Sequence, residues 1–265
     1  MRWIQGHLHA HEIVRYVMAL AVLFWSQIAL CVWIYPAENQ FSILTHTFSF
    51  MGRWEDHHNP QGWWLFSSAM FLWGILQIPL VLYAHRRMQT ISCWGARIST
   101  ALLLIGSVSI SMVGLFPDVR GEVIGSVEFR DLHTWAAIGV FIGYALGIGG
   151  YGLLILRDYL AKGRVSRPAG LEHRRFALPY AFWISAVLVA GFFQGRWAAT
   201  YARMRAEAEA AGQSIGSSWA ESSGTIWAFQ LWENLVIYAL FIFWVWFMLV
   251  LPRQLPNSSR GTTRV

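Results

Sequence analysis

The residues of this chain that could perform chemistry are concentrated in one stretch, residues 42–64, which reads SILTHTFSFMGRWEDHHNPQGWW. It holds three of the nine histidines, one arginine and two adjacent acids. Such groups can bind a metal ion, transfer protons or hold an anion. The stretch lies between two hydrophobic segments, so we expect its chemistry to take place at the surface of an apolar frame.

Metal binding is one chemistry that these residue types suggest. Zinc takes three or four nitrogen, oxygen or sulfur ligands in a tetrahedral array, and a catalytic zinc keeps one position open. The candidate ligands are His46, Asp56, His57, His58, Asp118 and His133. In a metal-dependent membrane hydrolase, the catalytic candidates Ser49 and Glu233 would orient the attacking water. No HExxH motif is present, so the spacing does not identify a metal.

Recognition of a lipid-like amphiphile is the hypothesis that we favour. An arginine can hold an anionic head, and aromatic side chains can flank acyl chains at the membrane surface. The candidate ligand-binding residues are Arg53, Trp54, Trp63, Arg196 and Asn234. Two further alternatives are a haem- or quinone-linked redox subunit, for which His133 and His46 are the candidate haem ligands, and an accessory subunit of a membrane complex that docks a partner membrane subunit.

The elements that must position these residues follow from composition and hydropathy. The chain has 265 residues, of which 56% are hydrophobic and only 13% are charged, with a mean hydropathy of +0.42. A soluble domain carries about 25% charged residues. Six apolar segments are long enough to span a bilayer, at about 12–35, 63–84, 94–116, 132–156, 176–198 and 226–251. The sequence therefore predicts an all-α integral membrane protein, a single six-helix bundle over residues 1–265.

Orientation is predicted from the basic residues. Fourteen of the twenty Lys and Arg residues fall in the N-terminus, the loops 85–97 and 157–175, and the tail. The positive-inside rule then places both termini in the cytoplasm and the 42–64 loop outside, in a plasma or inner membrane. The net charge of +6 is explained by this orientation, so we expect membrane lipids and not nucleic acid as partners.

Three local patterns predict how the helices are built. Gly139, Gly143 and Gly147 recur every four residues, which allows a neighbouring helix to approach closely. Pro79 predicts a kink near the end of the second span. Residues 201–211 are rich in Ala and Glu and predict a helix that continues the fifth span.

The two cysteines, Cys31 and Cys93, fall near opposite membrane faces and are not expected to form a disulfide.

Several short motifs resemble the Frag1/DRAM/Sfk1 group and the related bacterial DUF998-type proteins. The matching residues are Ser49-Phe50-Met51-Gly52, Asn59-Pro60, Trp63-Trp64-Leu65-Phe66, Gly114 to Pro117, His133, and Trp232-Glu233-Asn234. The resemblance implies six spans and a role connected with membrane lipids, and it supplies no catalytic residues. The charged insertion 53–58 departs from the pattern of that group.

A more remote similarity is to the seven-span hydrolases of the ceramidase and adiponectin-receptor type, which use Ser, Asp and three His around zinc. The chain lacks their closing H-x-x-x-H and is one span short. Both resemblances direct attention to the same end of the bundle. We predict a polar cavity there, lined by His46, Ser49, Arg53, Asp56, His57, Asp118, His133, Arg196 and Glu233.

Overall fold

The computed structural model describes residue 6 and residues 8–162, 165–166, 171–214 and 223–252. Within these ranges the helices are α1 (Ala10–Trp33), α2 (Trp63–Leu76), α3 (Ile78–Met88), α4 (Cys93–Leu115), α5 (Phe129–Lys162), α6 (Arg174–Ala210) and α7 (Phe229–Val250). Six segments are long and apolar enough to cross a membrane, with α2 and α3 counting as one. The predicted multi-pass helical bundle is confirmed at this level.

The predicted spans match the helices in number and position, and the main difference is length. The predicted spans 132–156 and 176–198 become helices of 34 and 37 residues. Helix α6 runs without a break to Ala210, so the helix predicted for residues 201–211 is confirmed. Hydropathy finds only the apolar part of such a helix, because its remaining turns are polar.

Two short β-hairpins in the connections were not predicted. One pairs β1 (Glu122–Ile124) with β2 (Val127–Glu128), and the other pairs β3 (Val165–Ser166) with β4 (Leu171–Glu172). In the first hairpin Gly125 has a φ of +61°, a conformation that favours glycine, and it forms the turn. This hairpin leads directly into α5, so it fixes where that helix begins.

The kink predicted at Pro79 separates α2 from α3 at Gln77. Proline has no N–H to donate to the preceding turn, so the helical hydrogen-bond ladder is interrupted there. The carbonyl of Leu76 accepts instead from the hydroxyl of Tyr16 in α1. The kink is therefore stabilised by a contact between neighbouring helices.

The closest helix pair is α4 with α5, and it depends on the predicted glycine stripe. A Cβ added at Gly143 would lie 2.6 Å from the backbone nitrogen of Gly106, and one at Gly139 would lie 2.4 Å from Oγ of Ser109. A Cβ at Gly147 would meet the side chain of Leu103 at 2.6 Å. The stripe thus allows the two backbones to approach more closely than larger side chains would permit.

A shared aromatic core lies between α1, α2, α5 and α7. Phe24 stacks on Phe241 with ring centroids 4.3 Å apart, and Trp73 lies 5.0 Å from Phe24. Tyr144 contacts Trp244 edge-on at 6.3 Å. Helix α4 completes this group by packing on α2 and α5.

Helix α6 lies outside this group and is the least buried of the six candidate spans. It packs mainly on α7. Its contact with α5 includes Tyr180, whose hydroxyl donates to the carbonyl of Ile148 at 3.0 Å. On either side of this contact, a crevice separates α5 from α6.

The structure agrees with the sequence on the cysteines, since Cys31 and Cys93 are both free. The predicted orientation also rests on basic residues that lie outside the described part of the chain, among them Arg2, Arg164 and Arg253. We call the end of the bundle that carries residues 34–62 and 116–128 the loop end, and the other the opposite end.

Candidate functional site

The loop between α1 and α2 is held in place by buried anchors. Phe48 and Met51 are almost completely buried in the bundle. The side chain of Asn59 donates from Nδ2 to the carbonyl of Met51 at 2.8 Å and accepts at Oδ1 from the N–H of Gly62 at 3.1 Å. The loop is thereby fixed to the start of α2, so the polar residues between its anchors have defined positions.

Arg53, Asp118 and Arg130 form a cluster of three charges at the loop end. The guanidinium of Arg53 donates from Nε and Nη2 to Oδ2 of Asp118 at 3.2 and 2.5 Å. Nε of Arg130 lies 3.3 Å from the other oxygen, Oδ1, but does not donate a hydrogen bond. Two guanidinium groups thus share one carboxylate, and a hydrogen-bond donor of Arg130 is unused.

His58 fixes the second side of the Arg53 guanidinium. Nη1 of Arg53 lies 3.1 Å from Nε2 of His58. Arginine can only donate, so Nε2 must accept and the imidazole is neutral, with its Nδ1–H facing the hydroxyl of Tyr35 at 3.4 Å. Burial, followed by the charge of Arg53, lowers the pKa of His58 to about 4. Arg53 is therefore held between a carboxylate and a neutral histidine.

A cavity of about 870 Å³ opens beside this cluster. It is bounded by the loop, the start of α5, the middle of α6 and the first turns of α7. Its polar lining residues are Thr47, Ser49, Arg53, Asp118, Arg130, His133, Thr134, Gln194 and Glu233. Its apolar lining residues are Ala137, Ile138, Phe141, Val187, Ala190, Gly191, Phe229, Trp232 and Val236. Along α5, the polar residues precede the apolar ones, so the cavity has a polar mouth and apolar walls.

His133 and Glu233 contribute hydrogen-bond acceptors to this cavity. Nδ1 of His133 donates to the carbonyl of Phe116 at 2.8 Å, so Nε2 is the acceptor nitrogen of the ring. Oε2 of Glu233 is buried and has no hydrogen-bond partner among the described residues. Both side chains also line a smaller space of about 50 Å³ beneath the cavity. Together with the arginines, they could bind an anionic group and an adjacent N–H or O–H donor.

The structure places some of the predicted cavity residues together and others apart. Ser49, Arg53, Asp118, His133 and Glu233 line one cavity. Asp56, His57 and Arg196 are exposed and do not line it. His46 is buried but also lies outside its lining. The structure therefore brings five of the nine predicted residues together in one cavity at the loop end.

The remaining ligand-binding candidates have structural contacts. Trp54 packs edge-on against Trp63 and Phe129, with centroid distances of 5.3 and 5.7 Å. Asn234 is fully buried and donates to the carbonyls of His46 and Gln230 at 2.8 and 2.7 Å. The tryptophans thus join the loop to the start of α5, and Asn234 ties α7 to the loop.

His46 has hydrogen bonds at both ring nitrogens. Nε2 donates to Oδ1 of Asn39 at 3.1 Å, and Nδ1 accepts from the hydroxyl of Thr45 at 2.8 Å. Burial lowers the pKa of His46, which agrees with a neutral ring. Neither nitrogen is available to a metal or a haem in this arrangement.

Within the described part of the chain, one group of side chains has ligand atoms close enough together to hold a metal ion. The ligand atoms of Glu55, His57 and His58 lie within 4.8 Å of one another. Nη1 of Arg53, however, lies 3.1 Å from Nε2 of His58 and 4.0 Å from Oε2 of Glu55. The guanidinium thus stands where a cation would bind, so these residues do not fit a zinc ion well. Of the ligands predicted from sequence, only His57 and His58 belong to this group.

Arg130 and Gly191 are among the cavity residues that sequence reasoning missed. Arg130, His133 and Ala137 are spaced three and four residues apart, so they share one face of α5. That spacing could have identified Arg130, because His133 was already a candidate. Gly191 gave no comparable signal, since its importance depends on the space beside it.

No protein-family model, curated protein or solved structure was found to match this chain. The geometry of the cavity is the observation that bears on function.

Proposed function

We propose that this chain is an integral membrane protein that binds a lipid-like amphiphile in the cavity at the loop end. The observation that carries the proposal is a cavity whose mouth is lined by two arginines sharing one carboxylate and whose walls are apolar. An amphiphile has the same division between a charged head and an apolar chain. Six helices long enough to cross a bilayer support the membrane setting.

The proposed orientation places the cavity in the outer leaflet of a plasma or inner membrane, with both termini in the cytoplasm. The excess of Lys and Arg in the N-terminus, the loops 85–97 and 157–175 and the tail supports it. In this orientation the polar mouth lies at the depth of the lipid headgroups, where bound anions are desolvated and arginine contacts are effective.

The head of the amphiphile is an anion bound by Arg130 with Arg53. Arg53 is already held by Asp118 and His58, so it supplies a fixed positive field. Arg130 is more exposed than Arg53 and lines the cavity, so its guanidinium can bind the anion directly. This assigns to Arg130 the role that sequence reasoning gave to Arg196.

The chain of the amphiphile lies between α5 and α6. Ile138 and Phe141 line one wall of this space, and Val187 and Ala190 line the other. A Cβ added at Gly191 would have nothing within 4 Å, so the glycine faces open space in the cavity. Because α6 packs on α7 and only loosely on α5, a chain can enter sideways from the bilayer.

A substitution that fills this space tests the proposal. Gly191→Leu places a side chain in the cavity, whereas Gly195→Leu, one turn along α6, adds the same side chain at another open position that does not line the cavity. Binding of a long-chain alkyl phosphate to the purified protein is measured by native mass spectrometry. We expect Gly191→Leu and Arg130→Gln each to weaken binding at least about tenfold, and Gly195→Leu to leave it unchanged. Equal binding by all four proteins would refute the proposal.

The contacts of the site favour binding over zinc-dependent hydrolysis. Oγ of Ser49 is hydrogen-bonded to Oγ1 of Thr47 at 3.0 Å and lies 3.5 Å from Asp118. Both oxygens of Asp118 face arginines. A hydrolase would need these groups to hold a metal or activate a nucleophile, and their present partners support anion binding.

A further inference from the structure

A second cavity, of about 940 Å³, lies between α5 and α6 toward the opposite end of the bundle. Its walls are almost entirely apolar, with residues such as Leu146, Leu153 and Ile184. A Cβ at Gly149 would have nothing within 4 Å, so this glycine also faces open space. The function proposed above makes no use of this cavity.

The inner wall of this cavity is built by Tyr180. Its ring packs against Phe243 of α7 at 5.0 Å, and a Cβ at Gly152 of α5 would lie 2.8 Å from the ring. Its hydroxyl is bonded to the carbonyl of Ile148. Tyr180 thus joins α5, α6 and α7. A groove lies on its outer side, and side chains larger than glycine at positions 149 and 152 would fill that groove.

The end of the cavity is polar and positively charged. Arg174, at the first turn of α6, lines it and is exposed. His173 lines it as well, and its side chain is only 2% exposed. Nε2 of His173 lies 3.0 Å from Oδ2 of Asp158, whereas its Nδ1 is buried without a hydrogen-bond partner. A buried ring nitrogen without a partner is costly unless a ligand satisfies it.

We infer that this cavity is a second lipid site, in which an anionic diacyl lipid places its headgroup between Arg174 and Nδ1 of His173 and its acyl chains between α5 and α6. The charge of Arg174 and the positive end of the α6 helix dipole both favour an anion. Nε2–H of His173 donates to Asp158, so Nδ1 is the acceptor nitrogen of the ring and can accept from a hydroxyl of the headgroup while Arg174 binds the phosphate. Basic pockets between membrane helices recognise anionic headgroups in this way.

This site is distinct from the cavity at the loop end. The two cavities lie on the same faces of α5 and α6. Phe141 lines the cavity at the loop end, and Ala145, four residues later on the same face of α5, lines the second cavity. Their charged ends, at Arg130 and Arg174, lie at opposite ends of the bundle. In the proposed orientation each site therefore takes its lipid from a different leaflet.

The test compares lipids in nanodiscs that contain equal amounts of phosphatidylglycerol and phosphatidylcholine with the same chains. The phosphatidylglycerol carries a diazirine near the methyl end of one chain, and mass spectrometry locates the labelled residues. We expect wild-type protein to be labelled on α5 and α6 around Gly149 and to retain phosphatidylglycerol over phosphatidylcholine on extraction. Gly149→Leu should remove this labelling, and Gly195→Leu should not.

The headgroup is tested with matched substitutions. Arg174→Gln should reduce retention of phosphatidylglycerol at least fivefold, whereas Arg175→Gln, next in sequence but paired with Glu172, should not. His173→Gln keeps a donor toward Asp158 and removes Nδ1, so the thermal stability should stay close to wild type while the preference for phosphatidylglycerol falls. Gly191→Leu should leave the labelling around Gly149 unchanged, which separates this site from the first.

Three results would overturn the inference: equal retention of the two lipids by wild-type protein, equal losses in Arg174→Gln and Arg175→Gln, or labelling around Gly149 that survives Gly149→Leu. Failure of the alkyl phosphate to bind at the loop end would refute the first proposal and leave this one standing.

Discussion

Arg53 and Asp118, which are 65 positions apart in sequence, are joined by two hydrogen bonds from one guanidinium to one carboxylate oxygen. Their side chains are only 13% and 15% exposed. The pair connects the loop before α2 to the segment that follows α4. It therefore holds the mouth of the cavity together and at the same time sets its charge.

Asp118→Asn tests this pair. The substitution leaves two guanidinium groups without a shared carboxylate, and breaking a largely buried pair on one side costs about 2 kcal/mol or more. We expect a lower thermal unfolding midpoint in detergent. Glu122→Gln, which removes an exposed acid from the neighbouring hairpin, is the control and should leave the midpoint unchanged. Equal effects of the two substitutions would mean that the pair does not hold the loop.

His58 predicts a dependence of stability on pH. Its pKa is about 4 in the folded protein, against 6.5 in a model peptide. Because the folded pKa is lowered, the unfolded chain takes up the proton first. Stability is therefore complete above pH 6.5 and falls as the pH decreases toward 4, by up to about 3 kcal/mol.

The measurement is the unfolding midpoint of wild type, His58→Gln and His57→Gln between pH 7 and pH 4. Gln at position 58 can still accept from Arg53 but does not titrate, so the loss of stability at low pH should become smaller. His57 is exposed, with 72% of its side chain accessible, and its charge is a minor cause of the lowered pKa of His58, so its substitution should reduce the slope much less than His58→Gln does. His46 also has a lowered pKa and accounts for part of any remaining slope.

Gly143 is expected to be essential for the packing of α4 on α5. A Cβ there would lie 2.6 and 2.7 Å from backbone atoms of Gly106 and Leu102, and backbone cannot rotate away as a side chain can. Gly143→Ala should destabilise the protein by about 1–3 kcal/mol. Gly195→Ala, at an open position, should be neutral or slightly stabilising because Ala favours the helix. The measurement is the thermal unfolding midpoint of each variant, compared with that of the wild type.

The sequence predicted the helices well because span length and hydropathy depend only on local composition. The stripe of Gly139, Gly143 and Gly147 and the kink at Pro79 were likewise predictable, since each acts through its own backbone. The site was predicted in part. Asp118 and Glu233 could be placed at the loop end because the position of a residue along a predicted helix fixes its depth in the bundle.

What the sequence could not supply was the rotation of each helix about its axis. Arg196 has the right depth, but α6 packs on α7 in a way that turns this residue away from the cavity. Arg130 was overlooked because the hairpin that starts α5 is set by pairing between β1 and β2. Asn234 was a reasonable ligand candidate, yet its side chain is used to hold the loop.

The two free cysteines provide a test of topology as well as of burial. Cys93 is exposed at the start of α4, at the opposite end of the bundle, whereas Cys31 is buried beside Asn59 near the loop end. A maleimide should therefore label one cysteine in the folded protein and both after denaturation.

In the proposed orientation Cys93 faces the cytoplasm, so a membrane-impermeant maleimide should label it only after the cells are opened. Adding Glu122→Cys creates a second exposed thiol at the loop end, which the same reagent should label in intact cells. Labelling of Cys93 in intact cells, with protection of position 122, would reverse the orientation and assign the two lipid sites to the opposite leaflets.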